Sequence, residues 1–130
     1  MPKLDVHQVF VRRLKAARKA VGLSQTNLGI RMGLPGETAS ARINRYEVGK
    51  SEPDLRTAQE VADALGVPLS WLVCTDARLA EMIHGFARLK PEVQKAWLDE
   101  LKAALKVKEN LAPPKVERAK KAKRAPRVKS

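Results

Sequence analysis

Several features that mark secreted, membrane and disulfide-bonded proteins are scarce or missing in this chain of 130 residues. Its single cysteine, Cys74, cannot form an internal disulfide, which favours the cytoplasm as the compartment. No apolar run approaches the roughly 18 residues of a membrane span, and the N-terminal residues lack the basic-then-apolar order of a signal peptide. We therefore expect a cytoplasmic chain with no membrane partner.

Residue patterns that carry catalysis are also missing. His7 and His84 are far apart in the sequence and fall in different predicted helices. There is no second cysteine, no glycine-rich phosphate loop and no paired-histidine spacing that would suit a metal. We therefore expect no enzymatic activity, no cofactor and no metal site.

Aromatic residues make up only 4% of the chain, so the core should be aliphatic. Positive charge, by contrast, is abundant, with a net charge of +12. Residues 1–111 contribute +5 and residues 112–130 contribute +7. An excess of positive charge indicates a polyanionic partner. For residues 1–111, however, solubility alone would also explain the positive charge.

Residues 23–50 contain the pattern around which the chain is organised. Ser24 is a typical N-cap for a short helix, and Gly33 supplies a residue suited to ending it. A second helical segment follows, with Ile43 and Tyr46 on one face, and Gly49 closes it. Two short helices joined by a glycine-bearing turn predict a helix-turn-helix, whose second helix would fit the major groove of DNA.

This pattern, together with its flanks, resembles the Cro/C1-type (XRE) helix-turn-helix repressors over about residues 8–74. The matching positions are Arg18, the run Gly22-Leu23-Ser24-Gln25, Leu28, Gly33, the run Arg45-Tyr46-Glu47, the pair Gly49-Lys50, Pro53, Ala62, the run Ala64-Leu65-Gly66-Val67 and the pair Trp71-Leu72. The resemblance implies an all-α protein with a five-helix, lambda-repressor-like DNA-binding domain, which we assign to residues 1–75.

The recognition helix departs from the family in length. The family usually has about ten residues from the turn glycine to the glutamate of the Tyr-Glu pair, whereas Leu34 to Glu47 is fourteen. Ser40 could cap a helix of family length, about residues 40–47, with the additional residues looped out before it. Alternatively, Pro35 or Gly36 begins a helix that is one turn longer. We expect the Ser40 cap.

The resemblance also assigns site residues. The positions expected to read bases are Ser40, Ala41, Arg42 and Arg45, and those expected to contact phosphates are Gln25, Asn44 and Lys50. Arginine can donate two hydrogen bonds to guanine, serine can hydrogen-bond several bases, and alanine can contact the methyl group of thymine. Arg18 and Glu47 are expected to form a structural ion pair that ties the first helix to the recognition helix.

Further helices are expected after this unit. Asp54 caps a fourth helix with an apolar stripe from Leu55 to Leu65, and Val67-Pro68 starts a short fifth. Residues 76–107 should form a helical hairpin from two amphipathic helices, 77–89 and 91–107. Its apolar face predicts a homodimer interface; the alternative is that the hairpin folds back on the DNA-binding domain.

Residues 108–130 combine a Pro-Pro pair with dense positive charge and few large apolar groups. We expect a disordered basic tail, either an arm along DNA phosphates or a solubilising extension.

The expected function is that of a nucleoid-associated, dimeric and sequence-specific regulator of transcription, a repressor that binds double-stranded DNA. The alternative is an antitoxin or another protein-interaction module that binds DNA mainly for autoregulation. Non-specific architectural binding is less favoured, because binding driven by charge does not need the ordered frame of Arg18 and Glu47.

Overall fold

The first helix owes its start to a reciprocal cap. In the computed structural model, which describes residues 5–107, α1 spans Val6–Ala20. The side chain of Asp5 accepts a hydrogen bond from the amide of His7, and the side chain of Gln8 accepts one from the amide of Asp5. The apolar positions Val9, Phe10, Leu14 and Ala17 recur at helical spacing and are buried.

Two short helices follow, joined by a glycine turn. The helix α2 spans Gln25–Arg31 and begins at Ser24, whose Oγ accepts a hydrogen bond of 2.9 Å from the amide of Asn27. Gly33 adopts a φ of 91°, which is a left-handed conformation that other residues adopt only at a cost. The chain then turns into α3, Gly36–Glu47.

The expected start of the recognition helix at Ser40 is wrong. The helix begins one turn earlier, because the carbonyl of Pro35 accepts hydrogen bonds from the amides of Thr38 (3.1 Å) and Ala39 (3.0 Å). The fixed φ of proline suits the entry to a helix. Ala39 is also completely buried against α2, so the additional turn is part of the packed structure.

Two further helices close an aliphatic core. The helix α4 spans Leu55–Leu65, capped by Asp54, and α5 spans Leu69–Val73. Leu55, expected in the buried stripe, is 78% exposed because it lies at the first position of α4 and outside the core. The fully buried large side chains come from five helices and are Leu14, Leu28, Ile43, Val61 and Leu72.

The chain divides into two compact units, the first ending at Leu89 and the second beginning at Lys90. The helix α6 spans Ala77–Ala87 in the first unit and buries Ala80. The helix α7 spans Pro91–Val107 in the second. Among the described residues no strand occurs, which confirms the expected all-α class, and none of the helices there is both long and apolar enough to span a membrane. The predicted tail, residues 108–130, lies outside the described residues.

Candidate nucleic-acid interface

A bidentate ion pair fixes the recognition helix α3 to α1. The guanidinium of Arg18 donates from Nε to Oε2 of Glu47 at 2.5 Å and from Nη2 to Oε1 at 3.1 Å. Its Nη1 donates to the carbonyl oxygen of Leu23 at 2.8 Å, just before α2. The side chain of Glu47 is only 2% exposed and that of Arg18 12%. The ion pair between α1 and α3 is the one that the family resemblance implied, and the bond to Leu23 also fixes the chain just before α2.

The carboxyl of Glu47 stays ionised although it is buried. Burial alone would raise its pKa, but hydrogen bonds from Arg18 and Gln25, together with the positive charge of Arg18, outweigh that effect and hold the pKa below its ordinary value. The hydrogen bond to Glu47 likewise raises the pKa of Arg18. Each partner therefore stabilises the charged form of the other.

Gln25 joins the start of α2 to the side of α3. Its Nε2 donates to Oδ1 of Asn44 (3.2 Å) and to Oε1 of Glu47 (3.0 Å), and its Oε1 accepts from Oγ of Ser40 (3.3 Å). Both amide hydrogens of Gln25 are therefore used inside the protein. The structure brings together Gln25, Ser40 and Asn44, which the sequence had assigned to separate DNA contacts.

The other predicted DNA-contacting residues lie on exposed surface. Ala41, Arg42, Arg45 and Lys50 are all exposed. Nε of Arg42 donates to the hydroxyl of Tyr46 at 3.2 Å, while Nε of Arg45 donates to Oγ of Ser51 at 3.1 Å. Within residues 5–107, the hydrogen bonds of these two arginine side chains are made through Nε, so the terminal nitrogens of each guanidinium keep their donors available.

The two helices of the unit approach each other closely at Gly29. A Cβ built on Gly29 would lie 2.6 Å from Cβ of Ala39 and 3.0 Å from its Cα. Only glycine fits at this point, so the distance between α2 and α3 depends on it. The sequence analysis did not predict this close approach. The feature that could have indicated it is a glycine inside a short helix, away from either end.

Arg13 is a second residue whose role was not predicted from the sequence. Its Nη1 donates to the carbonyl oxygens of Trp71 (2.5 Å) and Cys74 (2.6 Å), at the end of α5. The guanidinium also lies 5.5 Å from the centre of the Trp71 ring, and the centre of the His84 ring lies 4.9 Å from that of Trp71. Arg13 thus donates to two carbonyl groups at the end of a helix, where the regular helical hydrogen bonds stop, and no local sequence pattern indicates a partner 58 residues away.

Comparisons with known proteins agree with this architecture. The family model described as "Helix-turn-helix" matches residues 14–72. The crystal structure of the transcriptional regulator BswR is similar to this chain, with 38% sequence identity and a TM-score of 0.69. The matched region covers 75% of this chain and 96% of the BswR chain. This chain belongs to the Cro/C1-type helix-turn-helix family.

A second relative matches this chain over a smaller part of its own length. The SPbeta prophage-derived uncharacterized HTH-type transcriptional regulator YonR of Bacillus subtilis (strain 168) is 34% identical over 65 residues. Those residues are 50% of this chain and 56% of YonR, so the chain matches little more than half of that relative. All the predicted site residues of this helix-turn-helix protein, from Arg18 to Lys50, fall within the family match.

Proposed function

We propose that this protein is a sequence-specific, double-stranded DNA-binding regulator of transcription that acts as a repressor, with α3 in the major groove. The observation that carries the proposal is the outward face of α3. Ala41, Arg42 and Arg45 are exposed there, on a helix that α1 and α2 hold by hydrogen bonds at Arg18 and Gln25. A rigid helix with free guanidinium donors is suited to reading guanine edges.

The side chains on the flanks of that face suit a positioning role. Ser40 and Asn44 are bonded to Gln25 and so lie toward α2, and the exposed Lys50 lies in the loop after α3. Contacts to phosphate from such positions set the register of a protein on DNA, while base contacts set its specificity. Ser40, Arg42 and Arg45 would supply discrimination, while Asn44 and Lys50 would supply affinity.

We also propose that the protein binds as a homodimer through residues 76–107. The apolar stripe of α7 supports this, because its members Val93, Trp97, Leu98, Leu101 and Leu105 are between 37% and 54% exposed. Leu79 and Met82 on α6 are exposed to about the same extent. Stripes of this kind mark interaction surfaces, and two copies would place recognition helices on half-sites about one helical turn of DNA apart.

The proposal is tested by selecting binding sites from a random duplex library and then titrating salt on the selected site and on a scrambled duplex. We expect a preference of roughly a thousandfold or more at physiological salt. Arg45→Ala should cost about 1–3 kcal/mol and relax specificity at one base pair. Arg12→Ala, which removes an exposed arginine from α1, is the charge-matched control and should leave the sequence preference intact. Equal binding to both duplexes would refute sequence-specific recognition.

A second candidate function is that of an antitoxin or another protein-interaction module, which the exposed stripe of α7 also favours. The two candidates differ in what covers that stripe. Light scattering should show a dimer for the wild type and a monomer for Leu101→Glu if two copies pair. A wild-type chain that is monomeric at micromolar concentration would favour a different protein partner instead.

A further inference from the structure

The first turn of α3 carries two exposed side chains, Glu37 and Thr38, that a helix starting at Ser40 would have left in a loop. Recognition helices of this motif contact base edges mainly with their N-terminal residues. Because α3 begins at Gly36, that N-terminal position belongs to this first turn. The additional turn therefore changes which residues reach the floor of the groove first.

Glu37 lies on the outward face of α3. Glu37, Ala41 and Arg45 are spaced at four-residue steps, which places them on one side of the helix. The buried residues Ala39 and Ile43 lie on another side. Glu37 is thus aligned with two of the residues expected to read bases.

The carboxylate of Glu37 is available for a ligand. Within residues 5–107 no ion pair involves it. Its neighbour Thr38 instead donates its hydroxyl to the carbonyl oxygen of Pro35 at 3.3 Å and so belongs to the turn. A carboxylate in the first turn is favoured by the helix dipole, but that effect does not require it to share a face with Arg45.

We infer that Glu37 is a specificity-determining residue, whose carboxylate accepts a hydrogen bond from the amino group of a cytosine at the base pair beneath the first turn of α3. The chemistry supports this, because the N4 amino group of cytosine donates into the major groove and is the usual partner of a carboxylate there. Beside guanine or thymine the carboxylate would face acceptors and be repelled, and beside adenine it would meet the N7 acceptor next to the N6 donor. The inference rests on the proposed function, since it assumes that α3 lies in the major groove.

The test measures affinity for every single-base-pair variant of the selected site, using the wild type, Glu37→Gln and Glu37→Ala. We expect the wild type to prefer cytosine at one position by roughly 5- to 150-fold. Glu37→Gln should shift that preference toward adenine, because a glutamine amide bonds adenine in two places. Glu37→Ala should abolish the preference at that position alone.

Asp63→Asn is the matched control, because Asp63 is an exposed acidic residue on α4, outside both α3 and the proposed dimer segment. It removes the same charge and should leave the ranking of bases unchanged. The inference is overturned if both Glu37 variants keep the wild-type ranking at every position and only bind all duplexes more tightly. A wild-type chain that ranks no bases at all would overturn the proposed function as well, so the two failures are distinguishable.

Discussion

Replacing Gly29 by alanine tests whether the spacing between α2 and α3 is fixed by direct contact. The new Cβ would lie 2.6 Å from Cβ of Ala39 and 3.1 Å from its carbonyl oxygen. Carbon atoms in contact are about 3.5–4.0 Å apart, so the helices would have to separate by about 1 Å. Overpacking of this kind costs about 1–3 kcal/mol, while alanine in a helix recovers up to about 1 kcal/mol relative to glycine.

The control is Gly85→Ala in α6. A Cβ at Gly85 meets nothing within 4 Å, and the backbone there has no positive φ. Both variants gain helix propensity, so the difference between their free energies of unfolding isolates the clash at Gly29. We expect Gly29→Ala to be less stable than Gly85→Ala by about 1–3 kcal/mol in urea titrations. Its melting temperature should be lower by about 4–8 °C for each kcal/mol.

A second substitution checks that the clash with Ala39 is the cause. Adding Ala39→Gly removes the closest atom, but Cα of residue 39 would still lie 3.0 Å from the new Cβ. The double variant should therefore be more stable than the sum of the two single changes predicts, with only part of the stability recovered. Equal stability of Gly29→Ala and Gly85→Ala would refute the claim that the two helices are in contact without spare room.

Two further predictions concern charge. The depressed pKa of Glu47 stabilises the fold above the ordinary carboxyl value of 4.5, and that contribution is lost as the pH falls through the lower pKa of the folded state. The gap in unfolding free energy between wild type and Glu47→Gln should therefore shrink below pH 4.5 in urea titrations, and a gap that stays constant would contradict this account. Deleting residues 112–130, which carry eight basic and one acidic residue, should lower the salt slope of DNA binding by about 0.9 for each phosphate that the tail neutralises, with unchanged sequence preference. An unchanged slope would leave the tail as a solubilising extension.

Local signals predicted most of the helix-turn-helix unit, because they depend on residues close in sequence. The caps at Ser24 and Asp54 are in place, and Pro91 begins α7 as expected. The start of α3 was missed because two rules competed. Ser40 is a good cap by type, but the burial of Ala39 beneath Gly29 favours the longer helix, and that packing is not visible in a local pattern.

Long-range contacts of the site were predictable only where the family supplies them. The ion pair of Arg18 and Glu47 followed from the resemblance and is confirmed. The bonds from Arg13 to the end of α5 were not anticipated, since any exposed-looking arginine on α1 could have been proposed for them. Physical reasoning on sequence identifies groups that need partners, but it does not choose the partner.

The hydrogen bonds of Gln25 change what this residue can do on DNA. Its two amide hydrogens are committed to Asn44 and Glu47, so the side chain has no donor left for a phosphate. Gln25 would serve mainly to hold Ser40 and Asn44 of α3 in place. Its replacement by alanine should therefore disturb sequence preference as well as overall affinity, which the removal of a purely phosphate-binding side chain would not do.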